Sequence, residues 1–203
     1  MSETRVAALY VETGGVYFGL PDVDPWDEAR DARLYAGPWP VVAHPPCARW
    51  CQLAPLMESM HGYKVGDDGG CFAAALEAVE TWGGVLEHPA RSRAWSHFGL
   101  PVPARQGWSQ SFDRPGYATE IAQVAYGHLA QKRTWLYYVG PEPPSLDWSE
   151  PEAAAGVSEF GTRRGRHPWR KAVHLSRGLS NRTPDALRDA LLGMARSAAL
   201  TTA

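Results

Sequence analysis

Cys47 stands in the segment HPPCARWC, directly after Pro45 and Pro46. Each proline fixes its own φ, so the thiol sits on a rigid corner. A thiol held in this way is a candidate nucleophile. Glu87 follows a short apolar run, Val85-Leu86, and precedes His88-Pro89. A nearby carboxyl group is the partner needed when a thiolate adds to a heteroaromatic ring. The ring nitrogen must then accept a proton or a hydrogen bond. Gly14 and Gly15 follow a third apolar run, Val6–Val11. The chemistry these residues suggest is addition of sulfur to a heteroaromatic ring.

The elements that must position these groups alternate along the chain. Val6–Val11 and Pro40–Ala43 read as buried strands ending at turns. Gly69–Trp82 reads as a helix, with Asp67 and Asp68 at its start and Phe72, Leu76, Val79 and Trp82 on one face. Gly83-Gly84 stops it, and Val85–Pro89 follows as a strand. Thr119–Tyr126 and Thr134–Val139 read as two further strands. Thr183-Pro184 opens a final helix that runs to about residue 199. Strands alternating with helices predict an α/β sheet. Ligands of such sheets sit at the carboxyl ends of the strands, where Gly14-Gly15, Cys47 and Glu87 fall.

Composition sets the limits. The 203 residues are 44% hydrophobic and 21% charged, which suits one soluble domain. There is no long apolar run for a membrane span and no signal-peptide pattern. Three cysteines without such a signal predict reduced thiols in a cytoplasmic setting. The formal net charge of −2 excludes a uniformly basic coat. Locally the balance differs: residues 140–162 hold five acids and no Lys or Arg, and residues 163–182 hold seven Lys/Arg and no acid. The first stretch reads as a surface linker. The second, with Arg163, Arg164 and Arg166, reads either as a solvated loop or as a phosphate contact.

Four segments resemble the DNA cytosine-5 methyltransferases, in that family's order. LYVETGGVYFGL (Leu9–Leu20) is similar to LFAGxGGxxxGL, HPPCARWC to GPPCQGFS, and VLEHP to a strand ending ENV or ENP. QKRTWLYYVG (Gln131–Gly140) is similar to QRRERLFIVG. The resemblance implies a reduced Rossmann-like methyltransferase fold over residues 1–140. It would carry a small acidic-then-basic appendage (141–182) and a C-terminal helix (183–203) packed on the sheet. It implies that Cys47 attacks C6 of an extruded pyrimidine in DNA and that Glu87 contacts N3 and the exocyclic group. Pro46, Trp50, His88, Gln131 and Arg133 would belong to the base and phosphate pocket. Glu12, Gly14 and Gly15 would lie along S-adenosylmethionine, with Asp22 or Asp24 as its ribose acid. Extrusion of a base costs a few kcal/mol of unstacking. A single-stranded substrate would avoid that cost and could stack on the aromatic surface.

The departures are specific. Glu12 replaces a glycine, His88 replaces Asn, and Trp135 replaces the last Arg of the QxRxR pattern. Only about 30 residues separate Gly15 from Cys47, so a strand–helix–strand portion of the cofactor half is missing. A folate-type one-carbon donor, a free nucleotide substrate, or a catalytically silent DNA-binding relative are the alternatives this leaves. Plainer readings stand beside each residue. Cys47 could be an inert buried thiol, and Glu87 a capping or salt-bridge carboxylate. Trp50 and Trp135 could be packing, and His128 a hydrogen-bonding partner. Cys51 and Cys71 read as core. His44, Cys47 and Cys51 lack the fourth ligand a zinc site needs, so no metal is expected. The Pro- and Gly-broken segment from Trp95 to Trp108 reads as a loop over the site. Asp113 and Arg114 take no role.

Overall fold

The computed structural model describes residues 4–151, 157–158, 173–174 and 177–199. Its centre is a seven-stranded mixed sheet in the order β2-β1-β3-β4-β7-β6-β5. The strands are β1 (Val6–Leu9), β2 (Val23–Trp26), β3 (Val41–Ala43), β4 (Gly84–Pro89), β5 (Ser109–Gln110), β6 (Tyr117–Ala122) and β7 (Arg133–Val139). β2, β1, β3 and β4 run parallel; β7 is antiparallel to both β4 and β6. The helices are α1 (Ala54–His61), α2 (Cys71–Trp82), α3 (Arg93–His97), α4 (Arg177–Asn181) and α5 (Asp185–Ala198). Val157–Ser158 and Val173–His174 pair as a separate parallel ladder. Among the described residues no helix is long and apolar enough to cross a membrane.

Period-2 alternation divides the central strands between two cores. Ala7, Leu9, Val41, Ala43 and Leu86 face α2, whose Phe72, Leu76 and Val79 cover them. Val6, Ala8, Val42, Val85, Leu136 and Tyr138 face α5, with Leu187, Leu191, Leu192 and Met194. The expected C-terminal helix is thus the cover of one whole sheet face. Asp68 fixes the start of α2: its carboxylate accepts the Gly70 and Phe72 amides at 3.0 and 2.8 Å. Gly84 opens β4 at φ +121°, where an added Cβ would lie 2.0 Å from the Val41 carbonyl oxygen. No other residue fits there.

The β1–β2 and β2–β3 crossovers contain no α-helix. The first is a run of turns, and the second has only a 3-10 turn at Ala32–Leu34. α5 packs where such a crossover helix would lie, and Arg188 donates to the Val16 carbonyl of the first crossover at 3.2 Å. β2 itself is not legible as a strand, because Pro25 interrupts the short segment VDPW. It is tolerated because β2 is an edge.

The first part of the acidic stretch lies against the body. Trp148 donates to Thr119 Oγ1 at 2.9 Å, the Asp147 amide to the Tyr126 hydroxyl at 2.9 Å, and Trp108 to the Pro144 carbonyl at 2.8 Å. The Trp95–Trp108 segment is built into the packing. Trp95 is buried against Phe72 and Trp135, and Trp108 packs on Tyr138. Arg114 joins Glu80 at 2.9 Å and ties its loop to α2. Arg163, Arg164 and Arg166 lie outside the described residues.

Candidate active site

Cys47 and Glu87 come from the carboxyl ends of two adjacent parallel strands, β3 and β4. Cys47 begins a tight turn in which its carbonyl accepts the Trp50 and Cys51 amides, each at 2.9 Å. Its thiol is half-buried. Burial pushes the thiol pKa up, the Glu87 and Cys51 charges push it further, and Lys132 opposes them. The resting sulfur is therefore a protonated thiol at neutral pH.

Glu87 is the most heavily bonded side chain here. His44 Nδ1 donates to Oε2 at 3.0 Å, and Gln123 and Thr134 donate to Oε1 at 3.2 and 3.1 Å. Gln123 Nε2 also donates to Thr134 Oγ1 at 2.7 Å. The His44 and Glu87 side chains are only 14% and 11% exposed. Burial alone would raise the carboxyl pKa. The His44 hydrogen bond, with the charges of His44, Lys132 and His88, outweighs it and holds Glu87 at about 2. The far nitrogen of His44, Nε2, lies 2.8 Å from the Tyr17 hydroxyl. Tyr17 is buried, and its pKa stands well above the usual value. Burial is the main cause; Glu87 and Asp189 add to it and Arg188 opposes it. The tyrosine keeps its proton.

One geometric rule gathers these groups. On the α5 side of the sheet the pleat turns Val42, Val85, Leu136 and Ile121 inward. Continuing each strand by two residues toward the site places His44, Glu87, Thr134 and Gln123 on that same face. Tyr17 arrives from the first crossover. The polar cluster thus caps the apolar layer beneath it. Of its members only Glu87 carried a functional signal in the sequence. The alternation of β3, extended past Ala43, could have pointed to His44.

His88 faces the other way. It is 0% exposed, edge-on to Phe72 with centroids 5.2 Å apart, and neither ring nitrogen has a hydrogen bond. Burial lowers its pKa to about 4, against the pull of the Glu87 charge and the nearby Pro46 carbonyl. Its ring is neutral at pH 7. Trp50 is 3% exposed. Its N–H is given to Asp68 at 2.8 Å, and Phe72, His97 and Phe98 crowd its ring. It anchors the Cys47 turn from below. Pro46 is exposed. Gln131 is exposed, and Arg133 is held by Glu120 at 2.7 Å and Glu150 at 2.5 Å. Trp135 also donates to Glu120, at 2.7 Å. Pleating puts Arg133 and Trp135 on the face opposite Thr134. The cation that acts on Cys47 and Glu87 is Lys132. His128 Nδ1 accepts the Ala130 amide at 3.0 Å, inside its own turn.

The glycine loop follows β1. Gly14 has φ +67°, and a Cβ on Gly15 would meet the Glu12 carbonyl oxygen at 2.8 Å. Both glycines are thus required by the turn itself. The Glu12 side chain is exposed. Asp22 is exposed, and Asp24 is engaged by Arg30 at 2.7 Å and Trp26 at 3.0 Å. The acid at the end of β2 is instead Asp27, which accepts Thr13 Oγ1 of the glycine loop at 2.8 Å. The strand order reverses between β1 and β3, which makes this end of the sheet a topological switch point. A groove of about 380 Å³ runs beside the Cys47 turn, lined by Trp50, Val65, Gly66, Arg93, Ser96 and His97. Among the described residues no three His, Cys, Asp or Glu side chains are grouped to hold a metal ion.

The set Cys47, His44 and Glu87 has the composition of a thiol hydrolase triad. Its wiring differs, because the imidazole nitrogen that would serve the sulfur is on Tyr17. What the arrangement holds is a thiol within electrostatic reach of a carboxylate that a histidine hydrogen-bonds. Comparison with models of known protein families and with curated proteins returned no match for this chain.

Proposed function

We propose that this chain is a pyrimidine C5-modifying enzyme acting on DNA by covalent addition of Cys47 to C6. The observation that carries the reading is the juxtaposition of Cys47 and Glu87 on adjacent parallel strand ends, with Lys132 acting on both. The Cys47 thiol loses its proton, and Sγ bonds to C6 of the base. The electron pair displaced from the C5–C6 bond runs through C4 to N3, where a proton from Glu87 is needed. C5 then becomes nucleophilic. Lys132 favours the thiolate, opposing the burial that holds the sulfur protonated. The exposed cations near the nucleophile turn, Lys64 and Arg93, are suited to phosphate.

The donor proposed is S-adenosylmethionine, which when bound supplies an electrophilic methyl group. The residues around the glycine loop fit its polar parts. The loop's glycines leave bare backbone, the Glu12 carboxylate is free to meet an ammonium group, and Asp27 suits a ribose diol. Nothing beyond β2 among the described residues extends this side of the sheet. The fold is on this reading a reduced Rossmann-like methyltransferase.

A second reading, a catalytically silent DNA-binding relative, is favoured by one observation: Glu87 is ionised and already accepts three hydrogen bonds. Nucleoside mass spectrometry of DNA from cells expressing the chain separates the two. The enzyme predicts a new modified pyrimidine that vanishes with Cys47→Ser. An added mass of one methyl group supports the proposed donor, and a hydroxymethyl group indicates a folate-type donor. DNA binding with no Cys47-dependent base overturns the enzyme.

A further inference from the structure

The proposed addition requires Glu87 to give a proton to the ring nitrogen, yet Glu87 rests as an acceptor-only carboxylate. The proton must come from a neighbour. Three groups donate to Glu87: the Gln123 amide, the Thr134 hydroxyl and His44 Nδ1. Amides and alcohols do not release protons near neutrality; an imidazolium does. His44 is bonded on both sides, to Glu87 and to Tyr17. A tyrosine hydroxyl can accept from Nε2–H of the imidazolium and donate to Nε2 of the neutral ring. Tyr17 therefore holds the imidazole in one orientation through both protonation states.

We propose that His44 is a positioning residue that acts through Glu87, its imidazolium serving as the proton store for base addition and Tyr17 fixing its orientation. This rests on the base-addition reading above. In the step, the His44 Nδ1–H bond breaks as a Glu87 Oε2–H bond forms. That bond breaks as N3–H forms, and the Cys47 Sγ electron pair bonds to C6. The Cys47 thiol proton leaves to water, and His44 is later reprotonated from water, so charge and protons balance. Gln123 and Thr134 stay on Oε1, which leaves Oε2 to carry the proton.

The charged and titratable groups facing this relay come from several elements. Glu87 and His88 lie on β4 and Lys132 just before β7. Cys47 lies in the nucleophile turn, and Arg188 and Asp189 face Tyr17 from α5. A pH profile must therefore be read by comparing variants that leave these groups in place.

The test uses exchange of the C5 hydrogen of cytosine for deuterium in D2O, which reports addition and reversal without any donor. The probes are random-sequence duplex and single-stranded oligonucleotides and free deoxycytidine monophosphate, read by mass spectrometry. The wild-type rate should rise with pH as thiolate forms and then level off, since addition needs a proton relayed through Glu87 as well as a thiolate. His44→Asn retains an N–H to Glu87 but cannot release a proton. It should exchange roughly 10²-fold more slowly, and its rate should keep rising through the pH range in which wild type levels off. Tyr17→Phe removes one hydroxyl and serves as the second variant. It should exchange more slowly than wild type, because Nε2 loses the hydroxyl that fixes the ring. If wild type exchanges but His44→Asn keeps its pH profile and Tyr17→Phe its rate, the His44 role is overturned and the base-addition reading stands. If wild type exchanges on none of the probes, the reading fails and the role with it.

Discussion

The two ends of the parallel sheet are built to different standards. Around β3, β4 and β7, three side chains donate to one carboxylate and a fourth, Tyr17, backs His44, and most of their polar atoms are satisfied. Around β1 and β2, crossovers without α-helices lead to an edge strand, and a single carboxylate, Asp27, ties the glycine loop. Closed polar networks fix geometry; thin loops leave it adjustable. The contrast teaches that this chain places its bonded buried polar groups on the side proposed for acid–base chemistry and not on the side proposed for the donor. α5 makes this possible, since it covers the face that the crossovers leave bare.

The sharpest break of that comparison is at the nucleophile. Cys47→Ser should lower C5 exchange by a factor on the order of 10⁴ or more, read by mass spectrometry. A variant with wild-type exchange would remove chemistry from the built end altogether. The next largest effect tests the cover. Leu191 is fully buried under the sheet, and Leu191→Ala should cost about 2–5 kcal/mol in urea unfolding. A negligible loss would mean that α5 does not carry the face.

Acid unfolding addresses the polar network itself. His88 is held neutral, with its pKa lowered to about 4. Its stabilisation is full above the unfolded value near 6.5 and is lost as pH falls from there to about 4. Glu87, held at about 2, stabilises the fold above its ordinary range near 4.5 and loses that contribution as pH falls to about 2. Stability should therefore fall in two successive windows, by an amount on the order of a few kcal/mol each. His88→Leu should flatten the first window, and a curve unchanged by it would place the acid sensitivity elsewhere.

At the thin end, Asp27→Asn should weaken S-adenosylmethionine binding about 10–100-fold by calorimetry. Equal affinity would break its assignment to the ribose. The smallest effect expected is at the seam between the two ends. Arg188→Ala loses the bond to Val16 and should cost about 1 kcal/mol in thermal unfolding.

Much of the frame was legible. The apolar runs Val6–Val11, Pro40–Ala43, Val85–Pro89 and Thr134–Val139, the helix within Gly69–Trp82 and the final helix all follow local rules of periodicity, capping and glycine stops. β2 and α1 were not legible. β2 carries Pro25 and is stabilised only by its neighbour β1. α1 has an apolar stripe that stays largely exposed (Leu53, Leu56 and Met60), so burial gives it no signature. In the site, Cys47 and Glu87 were legible because unusual residues stand at strand ends. Tyr17, His44, Gln123, Thr134 and Asp27 were not, since each is an ordinary polar residue whose role exists only in its partners.

The sequence by itself determined which strands end in reactive groups, because strand ends are set by local punctuation: Pro45-Pro46 after β3, His88-Pro89 closing β4. The tertiary structure alone decided the protonation of those groups. A carboxylate at the end of a strand can be an acid or a base. Glu87 is ionised because pleating and strand order bring the His44 ring to its carboxylate and set Lys132 and His88 near it, and long-range neighbours of that kind leave no mark in local sequence.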